Sequence, residues 1–278
     1  MHLKSRLHVA IAAHRRSMAV QYAARLCRAY LRAYDNVNHN LVTNGEASAL
    51  RRLPPPVLTA LDVGMHQGSW TDTLLEVQPG AVVHGFEPAP AMAVGLVRRY
   101  AGNRRVVVNP FALGATPGRA VLHIDPRSTS VSSLVVGPST AGREPVEVDV
   151  VCGDDYLTRS DIGHVDVLKI DVEGYDLEVL LGFRRALAAG AIDVVQFEYN
   201  PWTLIARHLL ADFYDLLDPL GYAIGKIHPS GVDFRPYDLE SENWRGPACV
   251  AVLRSQAATI TALANVDRGG RRSARRAP

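Results

Sequence analysis

Two glycines and a carboxylate stand where a nucleoside can be held. In the run Leu61-Asp62-Val63-Gly64-Met65-His66-Gln67-Gly68-Ser69-Trp70, the glycines allow a tight turn after an apolar stretch, and Glu87 follows Gly68 by nineteen residues in Phe86-Glu87-Pro88. A carboxylate at the end of a second parallel strand accepts from both hydroxyls of a ribose, and a separation of about twenty residues puts it there. A dinucleotide turn wants G-x-G-x-x-G, whose middle glycine lets the backbone close on a pyrophosphate. Here Met65, His66 and Gln67 separate just two glycines, and Asp62 precedes them. An acid beside the turn repels phosphate and suits a cationic nucleoside such as S-adenosylmethionine, which carries a sulfonium and an ammonium. The expected cofactor contacts are Asp62, Gly64, His66, Gln67, Gly68 and Glu87, joined from later strand ends by Asn109, Ala112 and Asp171. The alternative is a doubly wound domain whose glycine turn is purely structural.

A second group of acids follows two later apolar runs. Asp171 and Glu173 come directly after Val167-Leu168-Lys169-Ile170, and Glu198 and Asn200 close Val195-Gln196-Phe197-Glu198-Tyr199-Asn200. Asp171, Glu198 and Asn200 offer the hard oxygen ligands that Mg²⁺ or Mn²⁺ takes, and such an ion lowers the pKa of a bound hydroxyl and holds it for attack. A general base is the other route, with His66, Glu173 and Glu198 as candidates beside Asp171. Ordinary structural roles compete: an acid after a strand also caps the next helix.

These side chains need a scaffold that brings strand ends together. Apolar β-type runs at 57–63, 81–86, 106–108, 165–170, 193–199, 222–227 and 249–253 are mostly separated by helical stretches. That alternation predicts a doubly wound, Rossmann-like α/β sheet, which binds ligands beyond the carboxyl ends of its strands. Ser69 is the expected N-cap of a helix over 70–77. The insertion at 120–157, with β-like 120–124 and 146–150, is expected to form an edge hairpin over the cofactor. Tyr199, Trp202, His228, Tyr237 and Trp244 are aromatic candidates for acceptor binding.

With 278 residues and 47% hydrophobic content, the chain can bury one large core. The net charge of +2 hides an asymmetry: residues 1–34 carry seven Lys/Arg and no acid, and residues 265–278 five Arg and one Asp, which leaves −9 for the body between. The organisation expected is a basic amphipathic helical extension over 1–50, a catalytic domain over 51–256 and a basic disordered tail over 257–278. The extension is expected to pack on the core or a second subunit, with a membrane surface as the alternative. No stretch reaches the length of a transmembrane helix, and a signal peptide is disfavoured by His14-Arg15-Arg16. Cys27, Cys152 and Cys249 form no metal or disulfide pattern, which fits a reducing cytoplasm. The arginine tail lacks aromatic stacking residues, so nucleic acid is not an expected partner.

Several motifs in order resemble those of the FkbM-type S-adenosylmethionine-dependent methyltransferases. They are Asn44-Gly45-Glu46, Asp62-Val63-Gly64 with Gly68, Phe86-Glu87-Pro88, Asn109 with Ala112-Leu113-Gly114, Ser130 with Ser132-Ser133-Leu134, Lys169-Ile170-Asp171-Val172-Glu173-Gly174, and Glu178-Val179-Leu180 with Gly182. The likeness spans about residues 44–200, and the Lys169–Gly174 run is its most specific part. It implies a class I methyltransferase fold with a seven-stranded sheet and an antiparallel last strand. It also implies O-methylation of a hydroxyl, commonly on a sugar or a polyketide. This sequence departs from the family at Met65-His66-Gln67, where Ala-Asn is usual after the first glycine. The function expected is therefore O-methylation of a saccharide hydroxyl with Mg²⁺ assistance. The alternatives are a metal-independent general-base methyltransferase of another small molecule, a nicotinamide-dependent oxidoreductase, and a non-enzymatic binding protein on the same fold.

Overall fold

The computed structural model describes residues 3–125, 132–137, 142–246 and 248–264. Ser130 and the basic segment 265–278 lie outside the described residues. Two helices come first, α1 (Leu3–Ala13) and α2 (Met18–Tyr34), then α3 (Glu46–Arg52). Residues 14–17 turn between α1 and α2, and Ser17 caps α2 by accepting from the Val20 N–H. The alternation begins with β1 (Thr59–Val63), α4 (Ser69–Val77), β2 (Val82–Phe86), α5 (Pro90–Arg99) and β3 (Val106–Asn109). It passes through an insertion of β4 (Ala112–Gly114), β5 (Gly118–Ile124) and β6 (Glu144–Cys152). It resumes with α6 (Gly153–Arg159), β7 (Val165–Ile170), α7 (Asp176–Gly182), α8 (Arg184–Ala188), β8 (Ile192–Glu198), α9 (Pro201–Ile205) and α10 (Leu210–Leu217), and closes with β9 (Tyr222–His228), β10 (Gly231–Phe234), β11 (Ala248–Leu253) and α11 (Ala257–Leu263).

The main sheet runs β3-β2-β1-β7-β8-β11-β9-β10. Strands β3 to β8 in that order are parallel, whereas β11 is antiparallel to both of its neighbours. Each of the seven expected runs forms a strand. The sheet has an eighth among the described residues because residues 229–230 turn the chain back and β10 pairs with β9 as a hairpin. The order reverses between β1 and β7, which opens a crevice at the carboxyl ends of these strands. The insertion forms a separate three-stranded sheet, with β5 antiparallel and β4 parallel to β6.

Side-chain alternation assigns each strand two apolar layers. Leu61, Leu168, Val195 and Ala251 face one layer with Phe183 and Phe213, while Ala60, Val167, Val194 and Val250 face the other with Leu50, Leu74 and Leu263. Leu50 belongs to α3, which straddles the boundary expected after residue 50, and Leu263 belongs to α11, which lies within the segment expected as a tail. Both elements are therefore packed on the sheet. Phe213 is fully buried, its ring stacked on Phe197 with centroids 4.6 Å apart. Phe213→Ala is expected to lower stability by about 3–5 kcal/mol in urea unfolding, the usual cost of an aromatic cavity.

Candidate active site

The carboxyl ends of β1, β2, β7 and β8 open into a cavity of about 370 Å³. Its floor is the glycine turn. Gly64 has φ +77°, and a Cβ there would lie 1.9 Å from the carbonyl oxygen of Asp171. No other residue fits without separating β1 from β7. Gly68 has φ +81° and occupies the N-cap of α4, so the helix starts at Ser69 and the expected serine cap is not formed. A Cβ on Gly68 would meet the Tyr100 hydroxyl at 2.2 Å.

Glu87 is held over this turn by the backbone. Its Oε2 accepts the His66 N–H at 2.9 Å and its Oε1 accepts the Ala89 N–H at 2.9 Å. Each oxygen keeps a further lone pair to offer the cavity. Burial pushes the Glu87 carboxyl above its ordinary pKa, and these two N–H donors pull it part of the way back.

Lys169 is the positive centre of the site. Its Nζ lies 2.9 Å from Asp62 Oδ1 and 3.5 Å from Asp171 Oδ2, and it donates to the Gly64 carbonyl at 2.8 Å. Burial opposes the charge, but Asp62 and Asp171 outweigh it and hold the ammonium above its ordinary pKa. Asp62 and Lys169 are directly paired across β1 and β7, and Lys169 is paired in turn with Gln196 on β8. The Gln196 side chain donates to Glu46 and accepts from the Trp70 indole N–H at 3.3 Å, while Thr71 donates to Asp62 at 2.7 Å. A row of polar groups thus crosses the sheet beneath the cavity.

The acids on the far wall are strongly perturbed. Burial, then repulsion from Asp171 and Asp176, pushes Glu173 up to about 8, and Asn200 and Arg143 oppose the shift. Glu198 is raised well above the carboxylate range by burial and by Asp171, Glu173, Asp176 and Glu46. Asp176, fully buried, is pushed up to about 7 by burial, while its Oδ1 accepts the Glu198 N–H at 3.0 Å. His66 is shifted below its ordinary value by burial, which Asp171 partly offsets.

Among the residues expected from sequence, Gly64, His66, Gln67, Glu87, Ala112, Asp171, Glu173 and Glu198 line the cavity. Four do not. Asp62 is turned into the sheet and neutralised by Lys169. Gly68 is packed under Tyr100. Asn109 donates its amide to the Gly85 carbonyl and the Tyr156 hydroxyl at 3.1 Å each, bracing β3.

Asn200 departs furthest from its expected role. Its Oδ1 accepts the Trp202 N–H at 2.8 Å as the cap of α9, and its Nδ2 donates to Glu198 Oε2 at 2.6 Å. It presents a nitrogen to the acids, so Asp171, Glu198 and Asn200 do not fit a metal site as a set. Among the described residues, the one group of three His/Cys/Asp/Glu with ligand atoms within 4.8 Å of each other is His164, Asp166 and Asp193, at the opposite ends of β7 and β8.

Sequence reasoning missed Glu46, Lys169, Trp70 and Tyr175, all of which line the cavity. Lys169 carried a signal, a charge inside the apolar run Val167-Leu168-Lys169-Ile170, whereas Glu46 in Asn44-Gly45-Glu46-Ala47-Ser48 carried none. Arg143, from the insertion, stacks over Trp202 at 4.6 Å. Leu122 and Leu134 bring the insertion to the cavity wall. The aromatic candidates Tyr199, Trp202, His228, Tyr237 and Trp244 are not part of the lining, and Tyr199 and Tyr237 both donate to Glu242.

The reversal between β1 and β7, the antiparallel β11 inserted before β9, and a cavity at the parallel strand ends define a class I, Rossmann-like methyltransferase fold. The chain belongs to the FkbM methyltransferase family, whose domain, described as "Methyltransferase FkbM domain", matches residues 62–224. The 2-O-methyltransferase NoeI of Sinorhizobium fredii (strain NBRC 101917 / NGR234) is 24% identical over 208 residues, which cover 70% of this chain and 83% of that protein. Among solved structures, fibrillarin from Aeropyrum pernix in complex with S-adenosyl-L-methionine is 14% identical with a TM-score of 0.40, covering 75% of this chain and 73% of that one. Precorrin-6y C5,15-methyltransferase from Geobacter metallireducens is 12% identical with a TM-score of 0.37, covering 77% and 90%. Family membership sets aside the nicotinamide-dependent and non-enzymatic alternatives.

Lys169→Met leaves the Asp62 carboxylate buried without its cation, and is expected to cost about 3–5 kcal/mol in denaturant unfolding. Adding Asp62→Leu should recover most of that loss, because a buried pair replaced by apolar groups is nearly neutral. Failure of the double variant to recover would assign Lys169 its stabilising role through Gly64 or Asp171 instead.

Proposed function

We propose that this methyltransferase takes its methyl group from S-adenosylmethionine and delivers it to a hydroxyl of a saccharide acceptor, with a carboxylate as base and no metal ion in the step. The observation that carries this reading is the pair of opposed walls: Glu87, fixed by two backbone N–H groups, and the half-buried acids Glu173 and Glu198 across the cavity. O-methylation is supported by the likeness to a protein named 2-O-methyltransferase. A saccharide suits a cavity whose wall mixes Trp70 and Tyr175 with His39 and Ser132.

When bound, S-adenosylmethionine supplies a methyl group made electrophilic by its sulfonium. Glu87 accepts from the two ribose hydroxyls through the lone pairs that its backbone donors leave free. Asp171, beside Lys169 and facing the cavity, and Glu46 supply negative charge opposite the cationic end of the cofactor. Glu173 receives the acceptor proton: its pKa of about 8 makes it a stronger base than an ordinary carboxylate, and its ionised fraction grows as pH rises toward that value. Burial, then repulsion from Asp171 and Asp176, sets that pKa, and donation from Asn200 opposes the rise. A second reading keeps a divalent ion at Asp171 and Glu198; the density of carboxylates around a single lysine favours it.

Glu87→Ala should weaken S-adenosylhomocysteine binding by about 1.5–3 kcal/mol in calorimetry, the worth of hydrogen bonds to a charged group. Unchanged affinity in a folded variant would remove Glu87 from the ribose site. For the base, kcat should rise with pH as Glu173 loses its proton and level off above about 8. Glu173→Gln should abolish that limb and lower kcat by about 10²- to 10⁴-fold with little change in S-adenosylhomocysteine affinity. A chelator should leave the rate untouched. Loss of activity with a chelator and recovery on adding Mg²⁺ or Mn²⁺ would replace the base reading with the metal one.

A further inference from the structure

None of the 17 residues of α2 is buried. The helix is tied to the body at its C-terminal end, where Asp35 pairs with Arg245 at 3.1 Å and the buried Asn36 donates to the carbonyls of Asn44 and Ile227 at 2.7 and 3.0 Å. At about 100° per residue, Met18, Tyr22, Leu26, Tyr30 and Tyr34 wind along one face. They are 54–88% exposed, and the Tyr30 and Tyr34 rings stack with centroids 6.3 Å apart. Gln21, Arg25, Arg28 and Arg32 share an opposite arc about 60° wide. On α1, Leu7, Val9 and Ile11 are exposed as well.

Charge selects what covers this face. Residues 3–34 hold seven Lys/Arg and no Asp or Glu. Arm against arm in a second copy would bring two such clusters together, whereas an anionic lipid surface supplies the opposite charge and admits the apolar side chains, with tyrosines at the headgroup level. The helix is about 25 Å long, and no described helix is long and apolar enough to cross a membrane, so the fitting orientation is in the plane of the interface.

We propose that α1 and α2 form a docking arm for an anionic membrane surface. Residues 35–41 lead from the arm to the cavity, where His39 and Leu41 form part of the lining, so docking brings the mouth of the active site to the lipid boundary. The proposal rests on the arm alone and stands whether or not the catalytic reading holds.

Flotation of the full chain with vesicles tests it, using phosphatidylcholine alone and phosphatidylcholine with roughly 30% phosphatidylglycerol, an anionic content that gives a surface potential. Binding is expected to the anionic vesicles, to weaken as salt rises, and to be slight on neutral ones. Arg25→Glu, Arg28→Glu and Arg32→Glu together should lower partitioning by roughly a hundredfold or more, from about fivefold per basic residue lost. Tyr22→Ser with Leu26→Ser should lower it without removing any charge. An unchanged thermal midpoint shows that the body of each variant is folded. The proposal is overturned if anionic vesicles are not bound, or if the arm variants bind as before and only deletion of residues 265–278 releases the protein. It is equally overturned if sedimentation shows a dimer that these substitutions dissociate while vesicles go unbound.

Discussion

The buried ion pair between Asp62 and Lys169 is the constraint around which the site is built. The two residues face each other across adjacent central strands at 2.9 Å, Asp62 with no exposure and Lys169 with 5%. Isolated, either charge would be expelled or neutralised at large cost. Together they let a cation stand at the bottom of an acidic cavity. From there Lys169 reaches the Gly64 carbonyl and Asp171, joining the glycine turn to the end of β7. The same polar row continues to Gln196, Glu46 and Trp70, so a helix that precedes the sheet in sequence is tied to its centre.

The Lys169–Gly174 motif acquires a physical meaning residue by residue. Lys169 is the cation and Ile170 fills the core. Asp171 faces the cavity while its carbonyl presses on Gly64. Glu173 takes a left-handed conformation with φ +52°, which turns the chain so that its carboxyl joins the cavity lining. Gly174 follows at φ +95°, where a Cβ would lie 2.6 Å from the Trp202 carbonyl. Five jobs within six residues explain why this run is a more specific signal than the glycine turn.

Periodicity made the strands and their order of appearance legible, because burial on both faces leaves long apolar runs that helices interrupt. Glu87 was legible through its distance from the turn. What periodicity does not encode is register. Asp62 reads as a cofactor contact until the strand bearing Lys169 is known to lie beside it, and Lys169 has no role until the same pairing is seen. Asn200 reads as a ligand because a short polar side chain after a strand serves equally as a helix cap, and only the direction of its amide separates the two. Glu46 reaches the site from a helix over a hundred residues upstream of its partner Gln196, a contact that no local pattern announces.

Charge counting around the cavity bears on the direction of turnover. Glu46, Glu87, Asp171, Glu173 and Glu198 line it against Lys169. A sulfonium donor enters with one positive charge more than the thioether it becomes. Burial and mutual repulsion raise four of these carboxyls, so on the proposed reading the sulfonium favours their ionised forms, and loss of its charge on transfer loosens that hold. On that reading, the electrostatics of the lining work against product inhibition, the common burden of enzymes whose donor and by-product share an adenosine.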